Sequence, residues 1–474
     1  MPSRGVAAVA ARWVAVAVAL AVPAVGAHAA TAPSAPPPTT IVVQPVPPSL
    51  PAPVRYGYDV KQGGKPDEFD RTLASHHFGS GGPFAVLRIP VYAGDHPSDA
   101  GQPDPSPEHL DTALYAPVVA AAQEALRVNP DLLVYANVKT PFRGNLFAPW
   151  LRGPDFPAHY ARLLFNFVAY MQAHGVPVDA LGIFNELSPA VMATYDGGRM
   201  SYADAYADTI RRLRGLIRVS HNPYAPTRAV KPVGTYVGPD SWHPHNDLVA
   251  RLDGSGRGDT VNVEATHFYS RDLSKESAQL SKFDAWANGR GKWDTEFHWS
   301  QGRRHAHGYA EARDALFSVF STFDHGLNTL IWWNFGDESS ADGDYAVQAD
   351  IQEHLVDTTA GMSYLPPPTG SGLAATPAPG GLVARAFVDA TATGARRVQL
   401  WIVNDTPRTR ETVAVTTATR AGLGDVASRS WVADAHGQLS AGSATTQTQV
   451  AGSSIIIGRI PARSLTAVTF TVAG

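Results

Sequence analysis

Leu181-Gly-Ile-Phe-Asn-Glu186 is a short apolar run that stops on an amide and a carboxylate. Apolar runs of this length, bounded by turn signals, suit a strand buried on both faces. Polar groups at the exit of such a strand are unfavourable inside a core and useful at its edge. Lys292-Trp-Asp-Thr-Glu296 repeats the arrangement farther along, again closing on a glutamate.

Working outward, β-prone runs alternate with helical ones from Arg55 onward. The candidate strands are Arg55–Val60, Phe84–Pro90, Asp131–Val138, Ala180–Phe184, Pro232–Tyr236, Val261–His267, Gly291–Glu296 and Thr329–Asn334. Helical periodicity lies between them at Thr112–Val128, Pro157–His174, Tyr202–Val219 and Tyr309–Phe323; Tyr160, Leu163, Leu164, Phe167 and Val168 share one face. Eight strands with intervening helices imply right-handed crossovers and a closed parallel (β/α)8 TIM barrel. A doubly wound open sheet carries the same alternation. No phosphate-type glycine fingerprint follows the first strand, which disfavours dinucleotide binding.

The barrel is expected over 54–365. Beyond Tyr364-Leu-Pro-Pro-Pro368 the texture becomes short β-prone runs, from Leu382–Val388 and Arg397–Asn404 to Ser454–Ile457 and Thr466–Val472, separated by Gly, Asp, Asn or Ser. That spacing predicts an antiparallel β-sandwich over 366–474, either a structural companion or a carbohydrate-binding module. Residues 31–53 read as a Pro-rich linker. Within it, Thr40-Ile-Val-Val43 is β-prone and able to add a strand to the distant sandwich. At the amino terminus, Arg4 and Arg12 precede the apolar run Trp13–Val22, and Ala27-His-Ala29 follows. This is the order of a secretory signal over 1–30, cleaved near Ala29 or Ala30. The run is shorter than the roughly 20 residues that span a bilayer. The expectation is a secreted protein with no membrane span once processed.

Composition narrows the rest. A chain of 474 residues exceeds one ordinary core, so two domains are expected. Net charge is −4 without a basic block, which argues against nucleic acid as a partner. There is no cysteine, which excludes disulfides, thiolate metal sites and a cysteine nucleophile. Oligomeric state leaves no trace in the sequence.

In a parallel barrel the carboxyl ends of the strands form the reactive face. Those ends place Arg88, Asn137, Asn185, Glu186, His267, Tyr269, Glu296, Trp332, Trp333 and Asn334 at one rim, and Trp299 just beyond. Two carboxyl groups on such a rim are the parts needed to break a glycosidic bond, one protonated and one ionised. Arginine and a tyrosine hydroxyl beside one carboxylate would keep it ionised. Asn185 is placed to bond a sugar hydroxyl. Trp332 and Trp333 alternate faces, so one belongs to the core and the other to the rim. Trp293 is expected in the barrel wall, and Asp294 and Glu264 in structural roles.

These residues resemble glycoside hydrolase clan A, retaining glycosidases built on (β/α)8 barrels. The resemblance rests on Asn185-Glu186 ending strand four, His267-Phe-Tyr269 ending strand six and Glu296 ending strand seven. Arg88 on strand two and Trp332 or Trp333 on strand eight complete it. It implies that Glu186 is the acid/base, that Glu296 is the nucleophile and that Tyr269 bonds the nucleophile. With its trailing β-sandwich the chain is most similar to family 30 within the clan, with family 39 the near alternative. Asn185-Glu-Leu-Ser-Pro189 departs from the frequent Asn-Glu-Pro. The implied protein is a retaining hydrolase of β-linked poly- or oligosaccharide, needing no cofactor and no metal.

Two other classes remain open. One is a non-catalytic carbohydrate-binding protein that stacks sugars on Trp242, Trp299 and Trp332. The other is a metal-dependent hydrolase using His243, His245 and Asp247, where Pro244 and the His-x-His spacing make a weak signal. His298, Arg303, Arg304, His305 and His307 form a basic stretch after Glu296, suited to an acidic sugar or simply to solvent.

Overall fold

The computed structural model describes residues 39–44, 49–60, 69–93, 110–140, 147–151, 153–186, 201–242, 247–268, 273–297, 308–333, 345–389, 394–417, 422–440, 448–451 and 453–473. The segment read as a secretory signal lies outside them. No helix among the described residues is long and apolar enough to cross a membrane.

Eight strands close into a parallel barrel: β2 (Arg55–Asp59), β3 (Phe84–Tyr92), β4 (Leu133–Thr140), β5 (Ala180–Gly182), β6 (Thr235–Trp242), β7 (Val263–Phe268), β8 (Gly291–Phe297) and β9 (Thr329–Trp332). Closure comes from β2, which pairs in parallel with both β3 and β9. The helices are α1 (Arg71–Phe78), α2 (Thr112–Val128), α3 (Phe156–Ala173), α4 (Tyr202–Val219), α5 (Leu248–Gly254), α6 (Leu273–Ala287), α7 (Tyr309–Asp324) and α8 (Tyr345–Thr359).

Local chemistry explains where these helices start. Asp70 accepts the Thr72 and Leu73 N–H groups ahead of α1, and Ser201 accepts the Asp204 N–H ahead of α4. On α4 the buried Tyr202, Tyr206, Ile210, Leu213 and Ile217 recur every three or four residues and form its barrel-facing stripe. The fifth barrel strand departs from its expected Pro232–Tyr236. It runs to Trp242, through a stretch whose Gly-Pro-Asp-Ser reads as a turn.

The barrel interior is filled by Val86, Tyr135, Ala180, Val237, Val263, Ala265, Trp293 and Ile331. Trp293, expected in the wall, instead points inward and meets Tyr135 edge-on at 5.8 Å. At the β2 position of this layer stands Gly57, where a Cβ would fall 2.8 Å from Ile331 and 3.1 Å from Val86.

The second layer system is a β-sandwich. One sheet runs β10 (Met362–Tyr364), β11 (Leu382–Asp389), β12 (Arg396–Asn404), β18 (Ser464–Val472), β14 (Leu423–Ala433) and β15 (Leu439–Ser440). The other runs β1 (Thr39–Val43), β13 (Val413–Thr417), β17 (Ser454–Ile457) and β16 (Thr448–Ala451). β1 precedes the barrel in sequence and pairs in parallel with β13. Ile41, Val43, Leu400, Ile402, Ile455 and Phe470 are part of the core between the sheets. The six-stranded sheet turns its other face to the barrel. Trp401 and Trp431 stack there at 5.6 Å, and His354 of α8 packs edge-on against both. Burial, with Arg429 beside it, pulls His354 down to about 4, so it packs as a neutral ring. Arg385 binds Asp324 and Trp431 donates to Asp350, which fixes the sheet on α7 and α8.

Glu264 alternates with the inward Val263 and Ala265, so it faces the helix layer. It is fully buried, and neither carboxyl oxygen has a hydrogen-bond partner among the described residues. The neighbouring cations are already engaged, Lys292 with Asp284 and Arg290 with Asp253. Burial pushes Glu264 up to about 9; Arg290 and Lys292 oppose this, and Asp284 and Asp253 reinforce it. The folded chain therefore holds a proton that the unfolded chain releases near the ordinary value of 4.5. Stability should fall as pH rises through that window, because the folded state binds more protons there. Glu264→Gln should remove this dependence. In urea unfolding the variant should gain on the parent steadily from about pH 5 to pH 8; parallel curves would contradict the assignment.

Candidate active site

Arg88 on β3 lies at the centre, with its side chain fully buried. Nη1 donates to Asp59 Oδ2 at 2.8 Å and to Glu296 Oε2 at 2.6 Å. Nη2 donates to Asn137 Oδ1 at 2.8 Å and Asn185 Oδ1 at 3.2 Å, and lies 3.5 Å from His267 Nε2. The fork thus touches the ends of β2, β7 and β8, Asn137 within β4, and Asn185 just after β5. Burial opposes the charge, but Asp59, Glu296, Tyr135 and Asp240 outweigh it, so the guanidinium is held firmly cationic.

Glu186 and Glu296 meet across this cation. His267 Nδ1 is 2.9 Å from Glu186 Oε1, and its Nε2 is 3.6 Å from Glu296 Oε2. One oxygen of each glutamate and one His267 nitrogen lie within 4.8 Å of one another. The imidazole tautomer follows the state of Glu186. A protonated Glu186 donates to Nδ1 and leaves the ring N–H on Nε2, facing Glu296; an ionised Glu186 accepts from Nδ1–H. The same three groups offer a ligand set to a divalent cation. Arg88, 2.6 Å from Glu296, already occupies that carboxylate with a positive charge.

Beneath the rim lies a buried polar layer. Asp240 Oδ2 accepts from Tyr135 at 2.7 Å and from Asn137 at 3.1 Å, and Oδ1 accepts from Thr295 at 2.5 Å. The Asp240 carbonyl takes the Glu186 N–H at 2.8 Å. Asp294 accepts the Glu296 N–H at 3.3 Å, and burial above all drives its carboxyl towards the protonated form.

Most of the strand-end residues converge, with three qualifications. Asn137 is fully buried, and its amide is committed to Arg88, Asp240 and the Phe184 carbonyl, so it supports the rim rather than lining it. Trp332 is also buried, edge-on to Phe297 at 4.8 Å in the layer between barrel and helices. The following residue, Trp333, is half-buried and holds the position after β9, its N–H on the Phe297 carbonyl. Tyr269, Trp299, Asn334, His243, His245 and the basic stretch 298–307 lie outside the described residues. Sequence reasoning missed Asp59, Tyr135, Asp240 and Thr295. Asp59 closes Tyr56-Gly-Tyr-Asp59, and the strand-end rule applied to the first strand would have found it.

No protein-family model matches the chain, and no curated protein matches it. Solved structures do match. SrfJ from Salmonella typhimurium aligns over 91% of this chain and 92% of its own, with TM-score 0.57 and 14% identity. The endo-β1,6-glucanase BT3312 aligns over 92% and 94%, with TM-score 0.56 and 14% identity. A GH39 β-xylosidase from Caulobacter crescentus aligns over 91% and 99%, with TM-score 0.52 and 12% identity. The likeness is one of fold, barrel and sandwich together, and it agrees with the clan-level resemblance of the motifs.

Gly182 sits where the buried layer passes β5. A Cβ there would fall 2.5 Å from Asp240 Oδ2, 2.5 Å from Tyr135 Oη and 2.6 Å from Asn137 Nδ2. Those atoms are bonded to one another, so they cannot swing away independently. Gly182→Ala should destabilise by about 1–3 kcal/mol, the usual range for overpacking. Unchanged unfolding midpoints would show that the layer yields freely.

Proposed function

We propose that the chain is a retaining glycoside hydrolase that cleaves β-linked poly- or oligosaccharides by double displacement. Glu296 is the nucleophile and Glu186 the acid/base. The observation that carries the reading is the closeness of the two carboxylates: one oxygen of each lies within 4.8 Å of the other, a single-atom distance that is shorter than the separation of the groups as wholes. Retaining enzymes hold the two groups roughly 5–5.5 Å apart, whereas inverting ones need about 6.5–9.5 Å to admit a water.

In the first step the Glu296 carboxylate attacks the anomeric carbon, and Glu186 gives its proton to the departing oxygen. In the second step Glu186 takes a proton from water, which displaces Glu296 and releases the sugar. Arg88 stabilises negative charge on Glu296 when that group is expelled. The fixed dipoles around Arg88 need little rearrangement as charge moves, which is the main source of electrostatic catalysis. His267 Nδ1, 2.9 Å from Glu186 Oε1, holds that carboxyl in place through both steps. Asn185 and the indole of Trp333 are the described groups suited to a sugar hydroxyl and a sugar face. The amino-terminal pattern of Arg4, Arg12, Trp13–Val22 and Ala27-His-Ala29 supports action outside the cell.

A panel of β-linked polysaccharides, followed by proton NMR, tests this reading. The first-formed product should be the β-anomer, and early α-product would overturn it. Glu186→Gln should lower kcat by roughly 10²–10⁴-fold on substrates with poor leaving groups. Glu296→Gln should abolish turnover while the fold is kept; turnover at the parental rate would remove the mechanism.

A further inference from the structure

Two strand irregularities beneath the site face each other. In the β6–β7 ladder Pro239 pairs with Ala265 and Ser241 with Thr266, which leaves Asp240 as the extra residue of a bulge. In the β7–β8 ladder Thr266 pairs with Asp294 and His267 with Glu296, which leaves Thr295 as another. A bulge re-aims the side chain it carries and bends its strand. Here both re-aimed side chains meet, Thr295 Oγ1 donating to Asp240 Oδ1.

Asp240 also reaches the other glutamate. Its carbonyl holds the N–H of Glu186, and both residues adopt left-handed backbone, with φ of 51° at Asp240 and 53° at Glu186. Such angles are unfavourable for residues with a Cβ and persist where the surroundings enforce them. The carboxylate is fully buried, and Tyr135, Asn137 and Thr295 all donate to it. Asn137 passes the connection on by accepting from Arg88.

We infer that Asp240 is a positioning residue that sets Glu186 and Glu296 against each other, the first through its main-chain carbonyl and the second through its buried carboxylate. Its main chain fixes the turn that carries Glu186, and its side chain fixes the bulge beside Glu296. Through Asn137 it also aims the guanidinium that binds Glu296. The inference rests on the double-displacement reading. A misplacement of reacting groups by about 1 Å lowers rates by about 10²-fold.

Asp240→Asn keeps the shape but puts an amide donor among three donors. Its kcat on a β-glycoside that the parent hydrolyses should fall about 100-fold, with KM within a few-fold of the parent. Thr295→Val removes one of the donors and should lower kcat in the same way, and Thr295→Ser should recover most of that loss. The Thr295 pair carries the test if Asp240→Asn fails to fold. Circular dichroism on each sample corrects rates for the folded fraction. Overturning results are a kcat within threefold of the parent, a loss confined to KM, a loss accounted for by unfolded protein, or a Thr295→Ser no better than Thr295→Val. If Glu296→Gln is inactive and Asp240→Asn is not impaired, the positioning role alone fails. If the parent cleaves no glycoside, the hydrolase reading fails and takes this role with it.

Discussion

The site depends on one fully buried guanidinium. Removing a cation from water is strongly unfavourable unless anions and hydrogen bonds replace the solvent. Arg88 meets that demand with Asp59, Glu296 and the amide oxygens of Asn137 and Asn185. The residues that neutralise it are therefore held at fixed positions, and they come from separate strands of the barrel. Electrostatic necessity and reactive geometry coincide at this point. The charge that must be compensated aims the carboxylate that the proposed mechanism assigns as nucleophile.

Fixing one glutamate is not sufficient for the proposed double displacement, which needs two at a set separation. His267 spans them with its two ring nitrogens, and the layer of Asp240, Tyr135, Asn137 and Thr295 braces them from below. Gly57 and Gly182 make room where the interior leaves no space for a Cβ. The sandwich contributes from outside. Its face of Trp401, Trp431 and Arg385 clamps α7 and α8, the helices that flank the closing strand β9.

The parts of this arrangement legible in the sequence share a cause. A strand buried on both faces shows as an apolar run, and the polar residue that ends it marks the rim; Asn185-Glu186, His267 and Glu296 could be read this way. Helices Thr112–Val128 and Tyr202–Val219 could be read because their apolar stripes and capping residues agree. Asp240 could not. It stands inside a strand whose Gly238-Pro-Asp-Ser241 carries turn chemistry, and a bulge breaks the two-residue period that would have placed it. Trp332 and Trp333 differ by one residue and hence by a face, and only the register of β9 decides between them. The strand-end rule brings Asn137, Asn185, His267 and Glu296 to the same rim as Arg88, but no local pattern records that they gather on its guanidinium.

Double displacement requires that Glu296 form a bond to the sugar. The most direct measurement is mass spectrometry after incubation with a 2-fluoro glycoside bearing an activated leaving group and the sugar the protein hydrolyses. The fluorine slows both oxocarbenium-like displacements and the activated leaving group restores the first, so the intermediate accumulates. The protein should gain one fluoroglycosyl unit, mapped by peptide digestion to Glu296. A label on Glu186, or turnover of the natural substrate with no adduct trapped on Glu296, would contradict it.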